Sequence, residues 1–165
     1  MSDLTVRAAR PKDLHRAGEV AVAAYQATGW LEPGDPYREH LADTPRRAGE
    51  AELLVAVDAE DRVVGTVTLC QADNPWSEIC RPGEVEFRML AVDPAATGRG
   101  AGTVLVAAVI QRARELGASR VVLCSVEAMR TARRMYLRMG FVRLPDRDWS
   151  PDGEMLLMAY GLELG

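Results

Sequence analysis

The sequence predicts a mixed α/β (α+β) domain. It has a mostly antiparallel central sheet of about seven strands, one parallel pair within it, and about four helices on both faces. Three observations carry that expectation. Between residues 85 and 126, a strand-like run, a glycine-rich turn, an apolar helical segment and a second strand-like run follow one another. That order forces a parallel pair joined by a right-handed crossover. Two further β-branched runs, Leu53 to Val57 and Val63 to Leu69, are separated only by Asp58-Ala59-Glu60-Asp61 and read as an antiparallel hairpin. The chain has neither an internal repeat nor a low-complexity linker, so residues 1–165 read as a single domain.

The elements follow in order. Leu4 to Ala9 alternates as a short strand. Pro11 opens a helix with Asp13 in its first turn. Leu14, Ala17, Ala21, Ala24, Tyr25 and Thr28 fall on one stripe of it, and Gly29 ends it. After a loop with Pro33, Gly34 and Pro36, a weaker helix runs to about Ala42 or Ala48. The hairpin comes next, followed by a long loop from Gln71 to Gly83, a length that often signals function. Val85 to Val92 is a strand, stopped by Asp93-Pro94. Thr103 to Leu116 is a helix whose apolar positions cover more than one face, closed by Gly117. Arg120 to Val126 is the nearly all-apolar strand expected in mid-sheet. Met129 to Met139 is a helix closed by Gly140, and Phe141 to Leu144 and Met155 to Tyr160 are the last strands.

Composition narrows the function. Lys+Arg 20 against Asp+Glu 24 gives a net charge of −4, without the basic excess of a general nucleic-acid binder. Cys70, Cys80 and Cys124 form no CxxC pair, and none sits near His15 or His40 at zinc-ligand spacing. They read as buried free thiols in a reducing compartment, and no metal is expected. The N-terminus lacks the basic and apolar regions of a signal peptide. The longest apolar run, Val104 to Ile110, is far short of a membrane span, so a cytoplasmic protein is expected, with neither nucleic acid nor membrane as partner.

The segment Thr97-Gly98-Arg99-Gly100-Ala101-Gly102 lies between a strand and a helix. Its glycines permit positive φ and close approach of a ligand. The unpaired N–H groups and the positive dipole end of the following helix make a phosphate site, to which Arg99 can add a charge-assisted bond. A tight turn that merely requires glycine is the plainer alternative. A Walker A loop is excluded because no Lys-Ser/Thr follows. A dinucleotide fingerprint fails because Thr103 stands where its third glycine belongs.

Glu86-Phe87-Arg88-Met89-Leu90-Ala91-Val92-Asp93-Pro94, with the glycine loop and the apolar helix after it, closely resembles the GCN5-related N-acetyltransferase (GNAT) superfamily. Met135-Tyr136-Leu137-Arg138-Met139-Gly140-Phe141 is similar to that family's L-Y-x-x-x-G-F signature, and the element order matches along essentially the whole chain. The resemblance implies a GNAT-like fold, acetyl-CoA as cofactor, and acetyl transfer to a primary amine of a small molecule or peptide by direct attack in a ternary complex. It implies a pyrophosphate cradle over Thr97, Gly98, Arg99, Gly100, Ala101, Gly102 and Thr103. It also implies a bulged strand splayed from its neighbour, with pantetheine contacts at Leu90, Ala91 and Val92. The amide of Leu90 would polarise the thioester carbonyl. Met129 and Ala132 would flank the cofactor. Two positions depart from the pattern: Thr97 stands where Gln or Arg is usual, and Met129 where many relatives have Asn. A homodimer is carried as a further expectation.

The reaction needs a base for the amine and a donor for the leaving thiolate. Glu86 alternates with Val85 and Phe87, sharing a face with Arg88, Leu90 and Val92. By resemblance it is the base, directly or through water; the alternative is an ion pair with Arg88 that solvates that face. Ser125 is a weaker water-positioning candidate. Tyr136 shares a helical stripe with Met129, Ala132 and Met139 and is the family's proton donor to sulfur, or else a core tyrosine. Tyr25, Trp30, Tyr37, Trp76 and Trp149 are aromatic candidates for the acceptor site. By resemblance that site is built by the first two helices and the loop between the last two strands. A catalytically silent acyl-CoA-binding or regulatory module is the alternative of a different class, and a nicotinamide-dinucleotide binder a more distant one.

Overall fold

The computed structural model describes residues 3–165. β1 (Thr5–Ala8) leads into a separate 3-10 turn at Pro11–Asp13, and α1 (Leu14–Ala27) continues from it. Asp13 is buried under the turn, where its carboxylate accepts from Arg7 at 2.6 Å and from the Arg10 N–H at 2.7 Å. The single weak helix expected next is two short ones, α2 (Tyr37–Ala42) and α3 (Thr44–Glu50). Asp43 breaks them: its backbone leaves helical geometry, and its side chain accepts from the Arg46 N–H as an N-cap. Among the described residues this gives five α-helices, in line with the expected architecture of about four with the weak one divided in two. Gly18 explains how α2 seats on α1, because a Cβ there would stand 2.8 Å from the Ala42 carbonyl oxygen.

β2 (Glu52–Val57) and β3 (Val63–Gln71) form the expected hairpin, followed by β4 (Glu84–Val92). α4 (Ala101–Glu115) starts two residues before the expected Thr103, since Gly100, at φ +81°, is its N-cap. β5 (Arg120–Ser125) precedes α5 (Arg130–Arg138), with Met129 at the N-cap. The last strands are β6 (Val142–Arg143) and β7 (Met158–Glu163). Both differ from the sequence expectation. Phe141 turns into the core at 1% exposure, and Met155 belongs to the long loop between the two strands.

The strands form one sheet in the order β1-β2-β3-β4-β5-β7-β6, antiparallel except for the parallel β4–β5 pair. α1 and α2 cover one face, with Val20, Ala21, Leu41, Val55, Val57, Met89 and Ala91 in that layer. α4 and α5 cover the other over Leu69, Val85, Phe87, Leu105, Val109, Leu123 and Phe141. Each fully buried large apolar side chain contributes about 1.5–3 kcal/mol. An exposed ion pair contributes about 0–1 kcal/mol. The two apolar layers therefore hold the strands that carry the site.

Two irregularities interrupt the sheet centre. Thr68 pairs with Arg88 and Thr66 with Ala91, so Val67 alone opposes Met89 and Leu90: a β-bulge, with Met89 at φ +55°. The parallel pairing of β4 with β5 covers only Glu84–Arg120 to Glu86–Val122. Beyond Glu86 the two strands part.

Candidate functional site

The bulge changes which way β4 points. Glu86 and Arg88 pair with Cys70 and Thr68 and face the α1–α2 side. After Met89 the alternation is reset, and Leu90 and Val92 pack with the α4–α5 layer. The sequence expectation that Glu86, Arg88, Leu90 and Val92 share one face thus holds only for the first two, because the extra residue inverts the order. The backbone at Leu90 lies where β4 has left β5, at the meeting point of two cavities.

One cavity, of about 520 Å³, is a groove between the end of β4, the glycine loop and α5. Its lining includes every cofactor position expected from the sequence except Arg99. Asp93 builds the approach: it ends the strand, accepts the Ala95 N–H at 3.0 Å and pairs with Arg16 of α1. Gly98 (φ +84°) and Gly100 (φ +81°) then turn the chain in the left-handed region, with open space where a Cβ would stand. The free N–H groups of the first turn of α4 follow at once, an arrangement suited to a pyrophosphate. Gly102 has a different job: it lies in that first turn, and a Cβ there would meet Met135 Sδ at 3.3 Å. The Thr97 hydroxyl donates to the Pro94 carbonyl at 3.3 Å. Arg99 reaches away to Asp3 at 3.0 Å and leaves the groove lining. Arg130 and Arg138 of α5 line the groove and pair with no carboxylate among the described residues. No motif marks either of them in the sequence; their spacing on a short helix with an apolar stripe is the available signal.

The second cavity, of about 470 Å³, opens on the other side of the split and shares Tyr25, Leu90, Met129 and Ala132 with the first. Trp30 meets Tyr25 and Tyr37 in it edge to face, at 5.7 and 5.3 Å between centroids, and the two tyrosine rings lie tilted to one another at 6.2 Å. The Trp30 indole N–H points at Met155 Sδ, 3.2 Å away, tying the α1–α2 loop to the β6–β7 loop, which adds Asp152, Met155 and Leu157 to the lining. Trp76 and Trp149 are outside it. Trp76 is buried beneath α2 and α3, stacked on His40 at 4.7 Å with the Arg46 and Arg47 guanidinium groups near its ring. Trp149 bridges to Leu157.

Ser125 and Tyr136 also line this cavity. Tyr136 is 5% exposed, its ring set against Phe87, Phe141 and Tyr160. Its hydroxyl bonds to nothing among the described residues, and burial raises its pKa, so it stays protonated. Cys124 lines the cavity too, and burial pushes its thiol up to about 12, which withholds the nucleophilic thiolate.

The two glutamates of this region differ sharply. Glu86 is fully buried and absent from the cavity lining. One of its oxygens accepts the backbone N–H groups of Glu78, Ile79 and Cys80 at 2.9, 3.0 and 3.0 Å. Burial raises its pKa, opposed by those amides. Glu78, from the long loop between β3 and β4, lines the cavity beside Arg88, whose Nε stands 3.2 Å from it. Arg88 also donates to the Trp76 carbonyl at 2.9 Å and to the Tyr37 hydroxyl at 3.3 Å. Burial raises the Glu78 pKa, and the Arg88 charge only partly offsets it. Among the described residues no group of three or more metal-ligand side chains gathers.

A bulged strand split from its parallel neighbour, with a glycine-capped helix at one mouth and a protonated tyrosine at the other, defines a class of folds. Residues 19–141 match the model of the Acetyltransferase (GNAT) family. The chain belongs to that family. It is 31% identical over 103 residues to an uncharacterized N-acetyltransferase of Schizosaccharomyces pombe, an alignment covering 62% of this chain and 60% of the relative. The chain thus spans about three fifths of that protein's length. A GNAT acetyltransferase structure from Staphylococcus aureus superposes with a TM-score of 0.75 at 15% identity, covering 98% of this chain and 99% of the other. The yncA protein of Salmonella typhimurium, in a structure with its cofactor acetyl-CoA, gives 0.69 at 22% identity over 99% and 95%. At these identities the two structures speak for the fold.

Proposed function

We propose that the protein is an N-acetyltransferase that moves an acetyl group from acetyl-CoA to a primary amine of a small molecule or peptide, by direct attack in a ternary complex. The observation that carries this reading is the split between β4 and β5, open to both cavities. Leu90, at the split, would offer its backbone to a pantetheine arm held from the glycine-loop groove, and the second cavity would receive the amine. The groove fits such a ligand: left-handed glycines, a helix N-terminus and the cations Arg130 and Arg138 suit phosphates, and the parted strand offers backbone to an amide arm. When bound, acetyl-CoA supplies the activated thioester.

The residues of the chain would do the rest. The Leu90 N–H polarises the carbonyl oxygen. The Tyr136 hydroxyl donates its proton to sulfur as the carbon–sulfur bond breaks. The aromatic cavity orients the amine. Its rings and its carboxylates Asp35 and Asp152 suit a cationic acceptor as it arrives.

Calorimetry with acetyl-CoA, followed by a panel of amines with release of the CoA thiol as readout, tests the reading. Binding by acetyl-CoA should stabilise the fold by about 2.7 kcal/mol at a hundredfold excess over Kd. Turnover with at least one amine is expected. Binding without turnover on any amine would instead support a silent acyl-CoA-binding module, and absence of binding would sink both.

A further inference from the structure

We infer that Glu78, on the loop between β3 and β4, is the carboxylate that takes the proton of the incoming ammonium, and that Glu86 is the positioning residue that pins Glu78 in place. The inference rests on the acyl-transfer reading of this cavity and deepens it.

Position decides first. A general base must reach the proton it removes within hydrogen-bond distance, or through one water. Glu86 has no exposed surface and lies behind the cavity wall. Three backbone amides occupy one of its oxygens, and the other is buried without a partner. Glu78 lies in the wall itself, with a side chain 20% exposed. One of its oxygens meets Arg88; the other has no partner among the described residues and is available to an ammonium.

The loop is also held as a rigid support would be. Besides the three amides on Glu86, the Trp76 carbonyl accepts from Arg88, and the Asn74 side chain donates to the Glu50 carbonyl at 2.8 Å. Arg147 donates to the Ile79 carbonyl while clamping Glu84 through two bonds of 2.8 and 2.7 Å. The loop gives up three N–H groups to a single carboxylate oxygen, and the first of those belongs to Glu78 itself. A charged acceptor shared by three donors is a strong anchor. It fixes where the Glu78 side chain leaves the backbone.

The chemistry fits the group. The charged and titratable groups that interact with Glu78 are Arg88, Tyr25, Tyr37, Cys70 and Cys124, with Glu86 behind the backbone, while Asp35 and Asp152 line the same cavity. Burial holds its pKa above the ordinary carboxylate value, which improves a carboxylate as a base toward an ammonium. In the step, Glu78 takes one proton and becomes the neutral acid, while the ammonium becomes an amine with a lone pair. That lone pair forms the nitrogen–carbon bond as the carbon–sulfur pair withdraws onto sulfur, which takes the Tyr136 proton. The second proton shed by nitrogen balances the one that Tyr136 gave, and solvent resets Glu78.

Substitutions at the two glutamates separate the roles. Glu78→Gln should lower kcat on the order of 10²-fold and remove the acidic limb of the pH–rate profile, with the Kd for acetyl-CoA nearly constant. Glu86→Gln keeps an oxygen for the three amides; it should lose only a few-fold in rate and retain the acidic limb. Glu86→Ala should free the loop, raising KM for the amine and exposing the Glu78, Ile79 and Cys80 amides to hydrogen exchange, again with the limb retained. Loss of the limb in Glu86→Gln with its retention in Glu78→Gln would overturn the assignment and return proton transfer to Glu86. Wild-type enzyme that binds acetyl-CoA but turns over no amine would overturn the acyl-transfer reading itself, and this assignment with it.

Discussion

Removing one oxygen atom, by Tyr136→Phe, separates catalysis from packing at this site. The ring sits edge-on to Phe87 at 5.7 Å and near Phe141 at 5.9 Å and Tyr160 at 6.3 Å, contacts that phenylalanine keeps. The hydroxyl makes no hydrogen bond to any described residue. The substitution therefore forfeits none of the about 0.5–1.5 kcal/mol of an intramolecular hydrogen bond. Stability should stay within about 0.5 kcal/mol, a melting shift of roughly 1–2 °C for a domain of this size. The kinetic effect should be far larger. A positioned general acid contributes about 10²-fold at the low end, which is about 2.7 kcal/mol of transition-state stabilisation. That loss should appear in kcat, because the proton is needed only as sulfur departs. Acetyl-CoA affinity should hardly move, since the phosphates and the pantetheine arm meet the glycine loop and the β4 backbone. Acyl thioesters of more acidic thiols, which leave without help, should narrow the gap. The assay pairs calorimetric Kd for acetyl-CoA with kcat on an accepted amine. Equal kcat in the two proteins would refute the acid role and leave Tyr136 as a core residue.

Two other perturbations follow from the same structure. Gly100→Val forces a β-branched residue into φ +81°, costing about 1–2 kcal/mol of local conformation; calorimetry should show acetyl-CoA affinity falling with the fold retained, and unchanged affinity would place the phosphates elsewhere. Asp13, hydrogen-bonded by Arg7, has its pKa held below the ordinary 3.8, so the pair's stabilisation is complete above that value and is lost as pH falls through the lowered one; Asp13→Ala, which leaves Arg7 paired with Asp61, should cost about 1.5–3 kcal/mol at neutral pH by denaturant titration and flatten the acid limb of the stability profile, and an unchanged acid midpoint would refute the linkage.

The legible parts of this chain were those with a strong local period or a strong local constraint. The hairpin, β4, α4 and β5 are dense apolar runs bounded by Asp-Pro, glycine or a tight turn, and they lie nearly where the sequence puts them. The groove followed because backbone freedom at Gly98 and Gly100 is itself a sequence property. Less was visible where tertiary contacts decide. Residues 37–50 look like one helix until Asp43 turns its side chain to cap the second. The direction of Arg99 depends on Asp3, far away in sequence. Nothing in the order Glu-Val-Glu-Phe-Arg tells a buried Glu86 from one at a cavity wall, because the wall is a loop folded over the strand. Glu78 carried no local signal, as its loop has no period. Only the length of that loop marked it.

The bulge at Met89 acts on β4 as a one-residue frameshift acts on a reading frame. Upstream of it, even positions of the strand face the α1–α2 side; downstream, odd positions do. Charged Glu86 and Arg88 and apolar Leu90 and Val92 can thus alternate in sequence without interruption and still end on opposite sides of the sheet. Deleting the single residue Met89 would restore one continuous phase and turn Leu90 and Val92 out of the α4–α5 layer. It would also bring the Leu90 backbone back into register with β3. Such a deletion leaves the composition of the strand almost untouched, yet it should disturb the site more than a conservative replacement at any one position within it.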